Sequence, residues 1–310
     1  MTELALIPND SHHHQQVQSS RSGDDLLADD IVFSVMQFLK PEFILRVCMK
    51  VCRQWNEQAR KIPLELEFMF ENMTPVKLKL LGNSSTMKQL KKLGLFGHSL
   101  GSEGVNAIVF SNYLYNLESL DLDSNELTCR AVETLSQSTV LKNLTSLNLN
   151  HNGIGPEGVR CICNSPYLTK LTELFLIGCH VQNQGITCIT KSENLKNLTL
   201  LDLKSNNITV EGAKQLAESE YLGNLRKLKL NHNPIEDEGV KFIATSKHLN
   251  HLTSLELAFT RIGVNAGISI AKSENLKLLT SLNVEGTYLR YTQAIYTLQQ
   301  KLQNLKYFQH

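Results

Sequence analysis

The chain has 310 residues, 42% of them hydrophobic and 20% charged, proportions that suit a folded core and exclude a disordered or collagen-like polymer. Its formal net charge of +1 gives no global basic excess for nucleic acid, and no window approaches the roughly 18 apolar residues of a membrane-spanning helix. Seven cysteines, odd in number and with no C-x-x-C pair, read as the thiols of an intracellular protein rather than as a disulfide framework or a zinc site.

Residues 1–23 form a polar tail without the basic start and apolar run of a signal peptide. Its adjacent His12, His13 and His14 read as solvated rather than as a metal site. Residues 24–62 read as a small helical unit. Ile31, Val35 and Leu39 share one helical face, Pro41 ends that helix, and Ile44, Val47, Cys48, Val51, Cys52, Trp55 and Ala59 form a second stripe. On pattern alone such a unit can be the cap that covers the open core of a neighbouring domain.

From residue 63 onward the chain is repetitive. Eight units of 27 residues begin at Leu90, Leu117, Leu144, Leu171, Leu198, Leu225, Leu252 and Leu279, running to about residue 291. A degenerate leading unit over 63–89 starts with Pro63 but keeps Leu66, Phe68 and Met73 in phase. Each unit opens with alternating leucines, as in Leu147 and Leu149, that point one way from a short strand into a core. Its ninth residue is Asn125, Asn152, Asn206 or Asn233, replaced by Cys179, Thr260 and Thr287; an inward polar side chain there can satisfy backbone groups where the chain leaves the strand. The second half has helical spacing: in "TVEGAKQLAESEYL" Thr209 can cap, and Ala213, Leu216 and Ala217 make an apolar stripe. Gly104, Gly158, Gly185, Gly212 and Gly239 recur in phase, as a close-packing requirement predicts. So do serines from Ser84 to Ser273, which read as closing helix ends. Residues 292–310 read as a helical cap.

The pattern L-x-x-L-x-L-x-x-N/C-x-L resembles the leucine-rich repeat, and the long helix with its glycine resembles the ribonuclease-inhibitor-like class of that family. The resemblance implies an α/β solenoid, a horseshoe with parallel strands on the concave side and helices on the convex side. Eight strands about 4.8 Å apart make a face roughly 35 Å long, suited to a protein or peptide rather than to a small molecule. With the third, fifth and seventh positions of each unit facing away from the core, the expected surface is mostly polar, interrupted by Phe175, Ile177 and Leu200. These three, with Lys204, Lys227 and Lys229 beside them and Asp121 and Asp123 on earlier repeats, are the candidate substrate-binding residues; the lysines point to an acidic segment in the partner.

The helical unit resembles the F-box over about 35 residues. It carries a leucine pair with acidic residues (Leu26, Leu27, Asp29, Asp30), an apolar helix ending Phe38-Leu39, a Pro41-Glu42 turn, and Val51-Cys52-Arg53-x-Trp55; Ala28 stands where the family usually has proline. F-box followed by leucine-rich repeats is a familiar domain order in that family. The resemblance implies a substrate-recognition subunit of a cullin–RING ubiquitin ligase, docking on a Skp-family adaptor and through it on cullin. The adaptor-facing candidates carried over are Leu27, Ile31, Phe38, Leu39, Pro41, Ile44, Leu45, Val51 and Trp55. Catalytic residues, cofactors and metal sites are not expected, since no P-loop, G-x-G-x-x-G or H-E-x-x-H is present. The expected location is the cytoplasm, the nucleus or both. The alternative is a repeat scaffold or inhibitor, or a GTPase-activating repeat protein of the Ran type, with only a helical N-terminal cap.

Overall fold

Short strands and helices alternate along the computed structural model of the chain, which describes residues 44, 57–59, 61–69, 73–289, 296, 298 and 306–309. The chain divides into two units, Met1–Ala59 and Arg60–His310. In the first, Ile44 is buried in a helical turn, and Gln58 and Ala59 are buried in another. Leu27, Ile31, Phe38, Leu39, Pro41, Leu45, Val51 and Trp55 lie outside the described residues.

Among the described residues of the second unit, ten strands form a parallel sheet in sequence order. These are β1 (Leu64–Met69), β2 (Leu90–Phe96), β3 (Ser119–Asp121), β4 (Ser146–Asn148), β5 (Glu173–Phe175), β6 (Leu200–Asp202), β7 (Lys227–Lys229), β8 (Ser254–Glu256), β9 (Ser281–Asn283) and β10 (Tyr307–Gln309). Between them run α1 (Pro75–Gly82), α2 (Gly101–Val109), α3 (Cys129–Ser136), α4 (Gly155–Cys163), α5 (Gln182–Thr190), α6 (Val210–Glu218), α7 (Glu236–Thr245) and α8 (Val264–Ala271), each packed on the next. This is the expected leucine-rich-repeat solenoid. Two elements go beyond the pattern read from the sequence. The leading segment forms a six-residue strand, β1, and the segment read as a helical cap has helical residues at Tyr296 and Leu298 but ends in β10, paired with β9.

Register obeys the repeat: Leu120 lies opposite Leu147, Leu147 opposite Leu174 and Leu174 opposite Leu201, so the leucines stack into continuous buried columns. The asparagines stack beneath them. Asn152 accepts from the N–H groups of Asn125 (3.1 Å) and Leu127 (2.8 Å) one repeat back, and donates to the carbonyls of Leu122, Leu149 and Asn150. One side chain thus satisfies backbone that has left the strand ladder on two adjacent repeats. Cys179 keeps part of this, its thiol donating to the Leu149 carbonyl, whereas the Thr260 hydroxyl bonds within its own repeat, to the Leu257 carbonyl.

The serine column joins repeats rather than closing its own helices. Ser165, Ser192, Ser219, Ser246 and Ser273 each donate to a last-turn carbonyl of the preceding helix, Ser136, Cys163, Thr190, Ala217 and Ala244 respectively. Ser246 also accepts from the His248 and Leu249 N–H groups of the adjoining turn. Replacing it by alanine orphans a buried carbonyl and two N–H groups, so Ser246→Ala is expected to cost about 1–3 kcal/mol in a urea melt; an unmoved midpoint would contradict the bridging role. Thr209 stands at the N-cap position of α6 but its hydroxyl does not cap the helix; it accepts from Asn183 Nδ2 of the preceding repeat (2.8 Å). The glycine column has the steric cause expected of it: a Cβ on Gly104 would lie 2.3 Å from Leu100 Cβ, and one on Gly185 2.5 Å from Val181 Cγ1.

Candidate functional site

The residues that face away from the core form rows running across the strands. In the fifth-position row, strand pairing sets Asp121 opposite Asn148, then Phe175, Asp202, Lys229, Glu256 and Asn283 in turn. In the third-position row it sets Glu173 opposite Leu200 and Leu200 opposite Lys227. Leu200 is therefore diagonal to Phe175, and Ile177 stands two residues beyond Phe175 in the seventh-position row. All three are half-buried, so each presents part of its apolar surface while resting on its neighbours. The structure brings this apolar group together with Lys204 and exposed Lys227 in the centre of the sheet.

Two expectations about charge are corrected. Lys229 is not a free cation for an acidic partner: its Nζ lies 3.7 Å from Asp202 Oδ2 and 3.3 Å from Glu256 Oε1, and Glu256 also accepts from Asn231 Nδ2 (2.6 Å). Opposite charges on adjacent strands satisfy one another here. Asp123 is not a surface acid either. It is nearly buried, accepting from Ser124 Oγ (2.7 Å) and facing His151 Nδ1 at 3.0 Å. Asp121 stays on the face, half-buried, and accepts from the Asp123 N–H (2.9 Å); burial pushes its carboxyl up.

Asp202 is buried, and burial pushes its carboxyl above the ordinary carboxylate range, with Lys229 pulling it back and Glu256 adding to the rise. A carboxyl raised on folding favours the native state while it is protonated; that stability is lost as pH climbs through the native pKa. Asp202→Asn removes the cost of burying the charge, so the variant should equal or exceed the parent in stability at pH 7, with its advantage shrinking as pH falls through the native pKa. Thermal melts at several pH values check this; an advantage that grows toward acid would contradict it.

Burial pushes the Cys163 and Cys179 thiols up to about 12, so both stay protonated and pack as small apolar groups. Among the described residues no group of three or more His, Cys, Asp or Glu side chains is placed to hold a metal ion, and no helix is long and apolar enough to cross a membrane.

A second surface group lies outside the rows that the strand pattern marks. The eighth residue of every unit, Gly97, Ser124, His151, Gly178, Ser205, His232, Phe259 and Gly286, turns the chain off the sheet with φ between 52° and 75°. Phe259 is the bulky member, and it stacks on His232 with ring centroids 4.6 Å apart. Counting only alternate strand positions passes over this column; its sequence signal is one Phe in a phase otherwise filled by Gly, Ser and His.

The repeat unit has relatives among known proteins. A family model described as Leucine Rich repeat matches residues 140–163, 194–217, 224–244 and 248–271. No curated protein matches. Among solved structures, an internalin (inlF) from Listeria monocytogenes str. 4b F2365 is similar over 73% of this chain, at 18% sequence identity and a TM-score of 0.49; this chain spans 56% of that one.

Proposed function

We propose that this chain is the substrate-recognition subunit of a cullin–RING ubiquitin ligase, in which residues 24–62 dock on a Skp-family adaptor and the sheet face captures a protein substrate. The observation that carries the reading is the Val51-Cys52-Arg53-x-Trp55 sequence, which resembles the end of an F-box, ahead of a leucine-rich-repeat solenoid, with the chain dividing between Ala59 and Arg60. Ile44, one of the adaptor-facing candidates, is buried. On this reading the chain catalyses nothing, works in the cytoplasm or nucleus, and accelerates ubiquitin transfer by holding substrate lysines near a charged enzyme. The half-buried Phe175, Ile177 and Leu200, with Lys204 and Lys227 around them, have the mixed apolar and cationic character of an interface centre.

Phe175→Glu places a charge at that centre without touching the leucine columns. Its melt should match the parent, adaptor recovery should be unchanged, and substrate recovered by proximity labelling should fall severalfold. Equal substrate recovery would move the capture site elsewhere on the solenoid. Deleting residues 1–62 separates the two readings of the N-terminal unit. Loss of adaptor supports the receptor; a full set of partners retained without it supports the repeat scaffold.

A further inference from the structure

The repeat imposes left-handed backbone at its eighth position, where a bulky side chain is costlier than glycine, so the choice of a large ring there points to a role at the surface. Phe259 (φ 57°) and, two residues on, Arg261 (φ 61°) both hold that conformation. Neither side chain is in the core. Phe259 is 48% exposed and Arg261 is exposed, while Leu257 and Ile262 on either side of them are fully buried. The Phe259 ring lies nearly parallel to the His232 imidazole, with 11° between the planes, and over Gly286, where a Cβ would stand 2.2 Å from ring atom Cε1. Tyr288, 75% exposed, stands in the next repeat, anchored by its N–H on the Ile262 carbonyl (2.9 Å).

His232 and Phe259 thus form a stacked aromatic pair on two successive repeats, with exposed Arg261 two residues along the chain and exposed Tyr288 on the next repeat. Aromatic residues around an arginine are the make-up of interface hot spots. The local charge selects the partner. Arg261 makes no ion pair among the described residues, and of the neighbouring acids all but Glu236 have partners elsewhere. Glu256 holds Lys229, Glu285 accepts from Gln309 Nε2, and Asp237 accepts from the Gly263 N–H. A planar guanidinium with free donors matches a carboxylate.

We propose that the surface around this aromatic pair is a second protein-binding site, separate from the sheet face around Phe175, and that it takes an extended partner segment in which an aromatic or large apolar side chain stands beside a carboxylate. The apolar group covers the exposed part of Phe259 and Tyr288, and the carboxylate pairs with Arg261. The strain at Phe259 is then what the fold gives up to present a ring at a position better suited to glycine.

The test uses the purified full chain and a phage-displayed library of random peptides of about 12 residues, a length that spans several repeats when extended. One enriched peptide is then synthesised and titrated by fluorescence anisotropy against three variants. The enriched sequences should pair Asp or Glu with an aromatic or large apolar residue. Phe259→Gly should weaken binding roughly tenfold or more while leaving the melting midpoint unchanged or higher, because glycine suits the turn. Arg261→Glu should weaken it similarly, and Phe175→Glu should leave it unchanged. The proposal is overturned if no peptide is enriched, if binding depends on Phe175 but not on Phe259 and Arg261, or if Phe259→Gly lowers the midpoint and so marks the ring as a structural plug. No adaptor enters the experiment, so its failure leaves the reading of residues 24–62 untouched.

Discussion

Asn233→Ala should destabilise the repeat unit by about 4 kcal/mol, since it orphans two buried N–H groups at about 1–3 kcal/mol each and also unmakes three carbonyl bonds. The side chain is fully buried. It accepts from the Asn206 and Ile208 N–H groups (2.9 Å each) and donates to the carbonyls of Leu203, Leu230 and Asn231. Burial at this depth keeps solvent from replacing the bonds that alanine removes. The next repeat supplies an internal comparison. There Thr260 makes one bond inside its own unit, so Asn233→Thr should recover part of the loss by the same local bond. A urea titration of parent, alanine and threonine variants reads all three, and an alanine variant as stable as the parent would show that the ladder contributes nothing. Because each repeat contacts only its neighbours, the damage should extend to the units on either side and broaden the transition.

The second large effect belongs to the leucine columns. Leu149 is fully buried between the sheet and the helices, and Leu122 and Leu176 stack before and after it at the same position of their repeats. Leu149→Ala should cost about 2–5 kcal/mol, the transfer of the lost methyl groups plus the cavity that flanking columns cannot fill without shifting register. Chemical denaturation checks the value. A loss below about 1 kcal/mol, the range of a surface substitution, would contradict the placement of Leu149 in the core.

The leucine columns and the asparagine ladder were legible in the sequence because both arise from one period: a residue type that recurs every 27 positions must stack on itself once the strands pair in register. The same periodicity hid the serine bonds. Ser165 and Ser136 sit 29 residues apart, slightly more than one period, so the pattern says that a serine serves a helix end but not whether the helix is its own or the one before. Charge was legible least. The fate of Lys229 depends on Asp202 and Glu256 on two other strands, and the burial of Asp123 on a turn whose left-handed residue, Ser124, leaves no mark in a polar–apolar reading. Alternation likewise directs attention to the strand faces and away from Phe259, which the turn column presents at the edge. The central apolar group, Phe175, Ile177 and Leu200, was visible from alternation alone because large apolar residues at outward positions break a binary pattern.

The function of the whole chain turns on what residues 24–62 bind. Affinity purification of the intact chain from a cell extract beside a Leu39→Ala, Trp55→Ala double variant, scored for Skp-family adaptor and cullin, addresses this directly. A ligase receptor should bring down both proteins with the intact chain and neither with the variant, while the two preparations show the same melt for the repeat unit. Adaptor and cullin missing from the intact chain as well, with the repeat unit folded, would contradict that role and leave a leucine-rich-repeat scaffold whose N-terminal helices serve only as a cap.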